Sequence, residues 1–88
     1  MSEVLVLFRL MPHGVETDMN ALAAGVKTAL PEGVRIRGMQ IKDIAYGLKA
    51  LLVAAAMPDA GGILDQVEEA FAKVTGVVSV EVMEESLA

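Results

Sequence analysis

Apolar residues recur along the chain with two periods, which together predict strands alternating with helices. A first strand is predicted over residues 3–11, and a third over 48–57; both carry apolar residues on both faces, as a strand with two neighbours does. The second strand, 34–43, alternates apolar and charged residues until Gly38, where the phase slips by one residue as at a β-bulge. The fourth strand, 77–83, again alternates, which is typical of an edge strand with one wet face.

Two intervening segments have the helical period, with an apolar stripe facing one side. The first follows Thr17 or Asp18 as its N-cap, and its Gly25 indicates close packing on the sheet. The second runs from Ile63 to Val74, with Asp59 as the predicted cap. The acidic tail, residues 84–88, is expected to fray, as chain ends commonly do.

The predicted element order is therefore βαββαβ, with the first and third strands central and the other two at the edges. This pattern predicts an α+β, ferredoxin-like two-layer sandwich with an antiparallel sheet in the order 4-1-3-2 and both helices on one face. The opposite face of the two central strands would remain apolar. An exposed apolar patch of this kind predicts an interaction surface, and dimerisation would cover it equally well.

The composition predicts one domain, residues 1–88, in the cytoplasm. The longest apolar run, Ala50–Met57, is much shorter than the ~20 residues of a membrane span, and no signal peptide is recognisable. There is no Cys, hence no disulfide framework.

The net charge of −5 is unevenly distributed. Residues 33–57 carry a net charge of +3 and residues 58–88 a net charge of −6. An acidic chain is a poor binder of nucleic acid, since neutralisation of phosphates supplies most of that affinity. The basic middle of the chain either meets an acidic patch on a partner protein or only keeps an edge strand soluble.

The sequence contains no recognisable catalytic or metal-binding motif. It has no phosphate-binding glycine motif, no base near its serines and no His/Cys cluster for a metal; its one His, His13, reads as a solvated residue of a Pro-Gly loop. We therefore expect no catalytic residues, no metal, no cofactor and no small-molecule substrate. The chain reads as a binding protein and not as an enzyme.

The best candidate contact is the turn at residues 44–47, whose tip carries the only Tyr of the chain. Tyr is a favoured interface anchor, and Gly beside it leaves room for a partner. The alternative is that Tyr46 folds back over the hairpin end as a lid on the core. The predicted partner-binding residues are Tyr46, Gly47, Lys49, Lys42 and Arg37.

Several stretches together resemble a known family, translation elongation factor 1-beta of the short archaeal type. The most specific is Ile44–Leu51, an aromatic-Gly-aliphatic-Lys stretch; the others are Glu16–Met19, Pro31–Gly33 and Gly61–Gly62. The resemblance covers the whole chain in order. It implies the ferredoxin-like fold and a guanine-nucleotide exchange factor that releases GDP from elongation factor 1-alpha, the GTPase that delivers aminoacyl-tRNA.

The resemblance also implies that the aromatic residue of the turn, here Tyr46, lies against the GTPase. Eukaryotic relatives have a lysine next to the last residue, placed to disturb the magnesium site, but this chain has Leu87 there. The alternative function is a small regulatory or oligomeric interaction domain of the same fold. No direct contact with nucleic acid or membrane is expected from either.

Overall fold

The computed structural model describes residues 2–87, which form six regular elements in the predicted order. These are β1 (Glu3–Pro12), α1 (Met19–Thr28), β2 (Arg35–Ala45), β3 (Leu48–Pro58), α2 (Ile63–Ala72) and β4 (Val77–Leu87). The boundaries agree with the sequence pattern within two residues, apart from β4, which runs to Leu87 rather than to Met83.

The four strands form one antiparallel sheet in the order β2-β3-β1-β4. The two strands with apolar residues on both faces, β1 and β3, are central, and the two alternating strands are the edges. Both helices contribute to a single core against one sheet face. The predicted ferredoxin-like sandwich and its strand order are therefore confirmed.

The core lies between the helices and the sheet, and none of the buried side chains in the described residues is polar or charged. Phe8 of β1 and Phe71 of α2 are both fully buried at its centre. Their ring centroids are 5.1 Å apart at an interplanar angle of 80°. Such edge-to-face pairs add about 0.5–1.5 kcal/mol to the free energy gained from burial alone.

The two helices begin differently. Of the two predicted caps of α1, the structure has Asp18, whose carboxylate accepts hydrogen bonds from the backbone N–H groups of Asn20 and Ala21 at 3.0 and 3.2 Å. The prediction that Asp59 caps α2 is wrong: the N-cap is Gly62, which makes no side-chain cap. Gly62 has φ +86°, so the chain makes a further turn after Asp59 before the helix begins.

The close packing expected at Gly25 is present, but its partner is not the sheet. A Cβ added at Gly25 would lie 2.8 Å from a methyl carbon of Val74, in the segment that follows α2. The glycine thus lets α1 approach the end of the second helix, where any larger residue would require Val74 to move.

The prediction that the C-terminal tail frays is wrong for the residues that the structure describes; Ala88 lies outside them. Residues 84–87 continue β4 and pair with β1, for example Glu84 opposite Leu7 and Leu87 opposite Val4. Backbone N–H and C=O groups of a central strand need partners on both sides. The tail supplies that second neighbour to the first half of β1.

The phase slip at Gly38 is a register shift in the structure. Ile36 lies opposite Ala55 and Gly38 opposite Ala54, which leaves Arg37 as the extra residue. The predicted bulge is therefore confirmed. A second register shift between Asp43 and Ala45 makes Ile44 the extra residue just before the turn.

Candidate protein-binding site

The turn between β2 and β3 consists of two residues, Tyr46 and Gly47, with Ala45 and Leu48 as the last cross-strand pair. Both turn residues have positive φ, 52° for Tyr46 and 81° for Gly47. This is the pattern of a type I′ hairpin turn, whose twist matches that of the strands but whose first position favours Asn, Asp or Gly. Among residues 2–87, Tyr46 is the only residue other than glycine with positive φ.

The side chain of Tyr46 is fully exposed, at 102% of the reference accessibility. The lid interpretation is therefore wrong, because a lid would bury the ring against the hairpin. A left-handed conformation at a non-glycine residue costs of order 1–3 kcal/mol. In the free domain, the ring of Tyr46 therefore buries no apolar surface, while the backbone of Tyr46 has an unfavourable conformation.

The other predicted partner-binding residues lie at different places. Lys49 lies opposite Asp43 and Lys42 opposite Ala50, so the two lysines occupy opposite faces of the hairpin. Lys49 is on the helix side near the turn, whereas Lys42 is on the open sheet face. Arg37 is roughly 25 Å of strand away from the turn at ~3.3 Å per residue.

Two exposed apolar residues at this end of the sheet were not among the five predicted partner-binding residues. Ile44, the bulge residue, is 46% exposed, and Val15 of the β1–α1 loop is 61% exposed. Val15 lies against the turn, since its Cγ1 would be 3.8 Å from a Cβ at Gly47. A lone apolar residue in an otherwise polar loop is a signal that could have indicated Val15; Ile44 needed the bulge to be known.

A depression of about 290 Å³ separates the hairpin from the β1–α1 loop. Its wall includes Val15, Ile41 and Lys49, together with the N-terminal residues of α1. We refer to Val15, Ile44, Tyr46, Gly47 and Lys49 as the hairpin tip. This surface combines a large aromatic ring, aliphatic groups and a cation around a shallow recess, which suits contact with another protein.

No group of three or more potential metal ligands occurs in the described part of the chain. His13, the only histidine, is exposed, and its backbone N–H donates to the carbonyl of Gly76. The hairpin tip itself contributes one aromatic ring, one cation and two exposed aliphatic side chains.

Comparison with known families decides between the possible kinds of binding protein. Residues 5–87 match the model of the EF-1 guanine nucleotide exchange domain. The chain belongs to this exchange-domain family. The match spans every regular element, from β1 to the end of β4, so the hairpin tip is a part of the exchange domain itself.

Curated relatives agree with the family over nearly their full length. Elongation factor 1-beta of Methanococcoides burtonii is 45% identical over 84 residues, which cover 96% of this chain and 94% of the relative. Elongation factor 1-beta of Archaeoglobus fulgidus is 43% identical over 82 residues, 93% of each chain. The resemblance identified from the sequence is therefore confirmed.

Solved structures with similar backbones are more distant in sequence. The ACT domain of a GTP pyrophosphokinase from Chlorobium tepidum matches with a TM-score of 0.65 at 15% identity, over 92% of this chain and 99% of that domain. The C-terminal domain of MgtC from Mycobacterium tuberculosis matches with a TM-score of 0.57 at 12% identity, over 99% and 88%. These likenesses show only the fold that the exchange domain shares with them.

Neither helix of the exchange domain in residues 2–87 has the length and apolar character that a membrane crossing requires.

Proposed function

We propose that this exchange domain binds elongation factor 1-alpha and accelerates its release of GDP, so that GTP can load and aminoacyl-tRNA delivery can continue. The family match over residues 5–87 supports the exchange role. The observation that carries the contact is the fully exposed Tyr46 in a left-handed turn. The activity would take place in the cytoplasm, where protein synthesis occurs.

The proposed role needs no covalent chemistry. An exchange factor only has to bind the nucleotide-free GTPase more tightly than the GDP-bound form, since linkage then requires that it weakens GDP binding by the same factor. A contact surface that positions a ring and a cation is sufficient for this. The absence of a nucleophile–base pair from the hairpin tip is compatible with such a mechanism.

Tyr46 would act as the anchor. A buried aromatic anchor commonly contributes about 2 kcal/mol or more to a protein interface, which is roughly a thirtyfold change in affinity. Because a Tyr side chain has only two χ torsions, immobilising the ring on binding costs little side-chain entropy. The strain at Tyr46 is then a cost of the free domain that the bound state compensates.

The C-terminal residues lie at the other end of the sheet. Leu87 pairs with Val4, whereas the turn lies beyond the pair Ala45–Leu48, so roughly 30 Å of strand separates the two at ~3.3 Å per residue. Contact through the hairpin tip alone therefore leaves residues 84–87 outside it. In this proposal, magnesium is loosened without a lysine in the tail, through the effect of hairpin binding on the GTPase.

The test is the release of fluorescent GDP from elongation factor 1-alpha in the presence of excess unlabelled GDP. The wild-type protein should increase the release rate in proportion to its concentration until the GTPase is saturated. Tyr46→Ala should lose most of this effect. Leu87→Ala is the matched control, because Leu87 is also a large exposed apolar residue, 78% accessible, but lies at the opposite end.

A release rate equal to the intrinsic rate at every concentration of wild-type protein would overturn the proposed function. An equal loss of activity in Tyr46→Ala and Leu87→Ala would leave exchange standing but remove Tyr46 as its anchor.

A further inference from the structure

The sheet face away from the helices has an apolar centre, which Glu3 and Arg9 of β1 flank along that strand. Alternation along β1 and β3, with the observed register, places Leu5, Leu7, Leu52, Ala54 and Ala56 on this open face. The three leucines and Ala54 are only partly buried, although each belongs to a central strand. Ala56 is fully buried, whereas the leucines and Ala54 keep part of their surface accessible to solvent.

On the open face, the side chain of Leu7 lies beside a hollow. A hollow of about 450 Å³ is bordered by Leu7, Leu52, Ala54 and the bulge of β2 at Gly38. Gly38 lies opposite Ala54, and a Cβ built on it would meet no atom within 4 Å. The hollow therefore exists because two neighbouring strands present Gly and Ala at the same level, where β1 presents Leu7.

The two edges of the open face carry opposite charge. On the β2 edge, Arg35 and Lys42 are on this face, opposite Ala56 and Ala50 of β3. On the β4 edge, Glu81 and Glu84 are on it, opposite Arg9 and Leu7 of β1. Within one copy, Arg9 pairs with Glu81 at 2.8 Å and Arg35 with Glu3 at 2.6 Å, but no ion pair of the described residues involves Glu84 or Lys42.

We propose that the open face binds a second copy of this chain, with the two-fold axis parallel to the strands and between β1 and β3. This symmetry places β1 of one copy over β3 of the other at the same level. Leu7 of each copy then enters the hollow at Gly38 and Ala54 of the other. The basic β2 edge of each copy also lies over the acidic β4 edge of its partner.

The alternative two-fold axis, perpendicular to the strands, gives a poorer interface. It places β1 over β1 and β3 over β3, so that leucines meet leucines and alanines meet alanines. It also places each basic edge over a basic edge, and like charges that face each other across an interface are unfavourable. The sizes of the facing side chains and the charges of the facing edges therefore both favour the axis parallel to the strands.

The expected interface is of modest size. A face of four strands spaced ~4.8 Å apart and about nine residues long covers roughly 570 Å² per copy, or about 1,100 Å² in total. This is at the low end for specific complexes, so we expect a dimer that dissociates on dilution. Its axis places both Tyr46 turns at the same end and outside the interface, so self-association does not depend on the proposed exchange function.

The first experiment is sedimentation velocity on the full chain over a range of concentrations. Wild-type protein should sediment as a dimer at high concentration, and Gly38→Val, which fills the hollow, should weaken association at least tenfold. Gly38 has no positive φ, so Val should be tolerated in this strand. Gly61→Val is the control, since Gly61 also has free space around it but lies in the loop before α2.

A charge change tests the edges separately. Glu84→Lys should weaken association at least tenfold, because it places a lysine under the basic edge of the partner copy. Glu69→Lys makes the same change in net charge at an exposed position of α2 and should leave association unchanged.

A distance measurement tests the axis. The chain has no Cys, so Ala45→Cys gives a single spin-label site beside the turn. With the axis parallel to the strands, labels of the two copies should be roughly 20 Å apart, whereas the perpendicular axis predicts roughly 35 Å or more, from the strand rise and sheet spacing.

A wild-type protein that stays monomeric at the highest concentration, an unaffected Gly38→Val dimer, or the longer label distance would each overturn the proposal. A monomer whose Gly38→Val variant also loses GDP release would instead assign the open face to the GTPase. If the wild-type protein does not accelerate GDP release, the proposed exchange function is wrong, but the proposed dimer is unaffected.

Discussion

Tyr46 occupies a backbone conformation that its residue type disfavours, and its ring contacts solvent. At the first position of a type I′ turn, Asn is preferred over an aromatic residue because its short polar side chain tolerates positive φ. The domain thus gains no evident stability from Tyr46. Strain that persists without a stabilising contact is a recognised property of sites that bind ligands or partners.

We predict that Tyr46→Asn raises the stability of the free domain and lowers GDP release. Relief of the unfavourable φ should increase the free energy of unfolding by about 0.5–1 kcal/mol, or roughly 4 °C in melting temperature for a domain of this size. Thermal melts of the free protein beside the GDP-release assay check both parts.

The control for this prediction is Tyr46→Phe, which keeps the ring and the strain; its melting temperature should match the wild type. A fall in the melting temperature of Tyr46→Asn would contradict the prediction, because it would mean that the ring stabilises the fold.

At the scale of elements, α1 comes close to the segment that follows α2 where Gly25 faces Val74. Gly in a helix interior is about 1 kcal/mol less favourable than Ala, so a fit between elements has to offset that cost. The 2.8 Å approach of an added Cβ to Val74 is shorter than any ordinary contact.

We predict that Gly25→Ala destabilises the domain by about 1 kcal/mol, because an overpacking cost of ~1–3 kcal/mol exceeds the gain in helix propensity. In the Val74→Ala background, the same change should be neutral or stabilising. Urea unfolding of the four proteins of this cycle gives the coupling, expected at about 1 kcal/mol or more. Additive effects of the two changes would contradict the contact between Gly25 and Val74. The control is Ala24→Gly at an exposed position of α1, which reports the effect of helix propensity alone.

The extension of β4 makes a second prediction at this scale. A protein ending at Met83 should lose about 1–2 kcal/mol of stability, since β1 would lose several backbone hydrogen bonds of ~0.5–1.5 kcal/mol each. The melting temperature should fall by roughly 4–8 °C per kcal/mol. The control is Glu84→Gln with Glu85→Gln, which keeps the strand and removes only charge. An unchanged melting temperature on truncation would mean that the tail does not pair in solution.

At the scale of the whole molecule, positive and negative charge are concentrated in different parts of the chain. The basic residues are concentrated in the stretch 33–57, which includes β2 and β3, while residues 58–88 carry a net charge of −6. A molecule that is acidic overall can therefore present a locally positive hairpin to an acidic partner. Such a division influences encounter rates more than it influences the final affinity.

We predict that GDP release stimulated by this protein slows as ionic strength rises, since the Debye length falls from ~10 Å at 0.1 M to ~3 Å at 1 M salt. Lys49→Gln, at the hairpin tip, should reduce that salt dependence. Lys27→Gln, at an exposed position of α1, makes the same charge change away from the hairpin and should leave it unchanged. The intrinsic release rate of the GTPase is subtracted at each salt concentration, and stimulation that does not vary with salt would contradict the steering.

The sequence was sufficient for the features that depend on local periodicity. The order βαββαβ, the central positions of β1 and β3 and the bulge at Gly38 follow from which residues alternate and where that alternation slips. These features are repeated over many residues, so a single ambiguous position cannot change them. The family could also be identified from the hairpin stretch, because Ile44–Leu51 combines several specific residues at fixed spacing.

Only the tertiary structure decided the features in which one segment meets another that is distant in sequence. Asp59 has the chemistry of a cap but is separated from α2 by a turn, and residues 84–87 look like a frayed end but complete the second side of β1. Whether Tyr46 covers the core or projects from it depends on the φ of a two-residue turn, which alternation does not encode. In each case the physical reason is the same: side-chain pattern specifies faces, whereas pairing and exposure are set by neighbours that only the folded chain brings together.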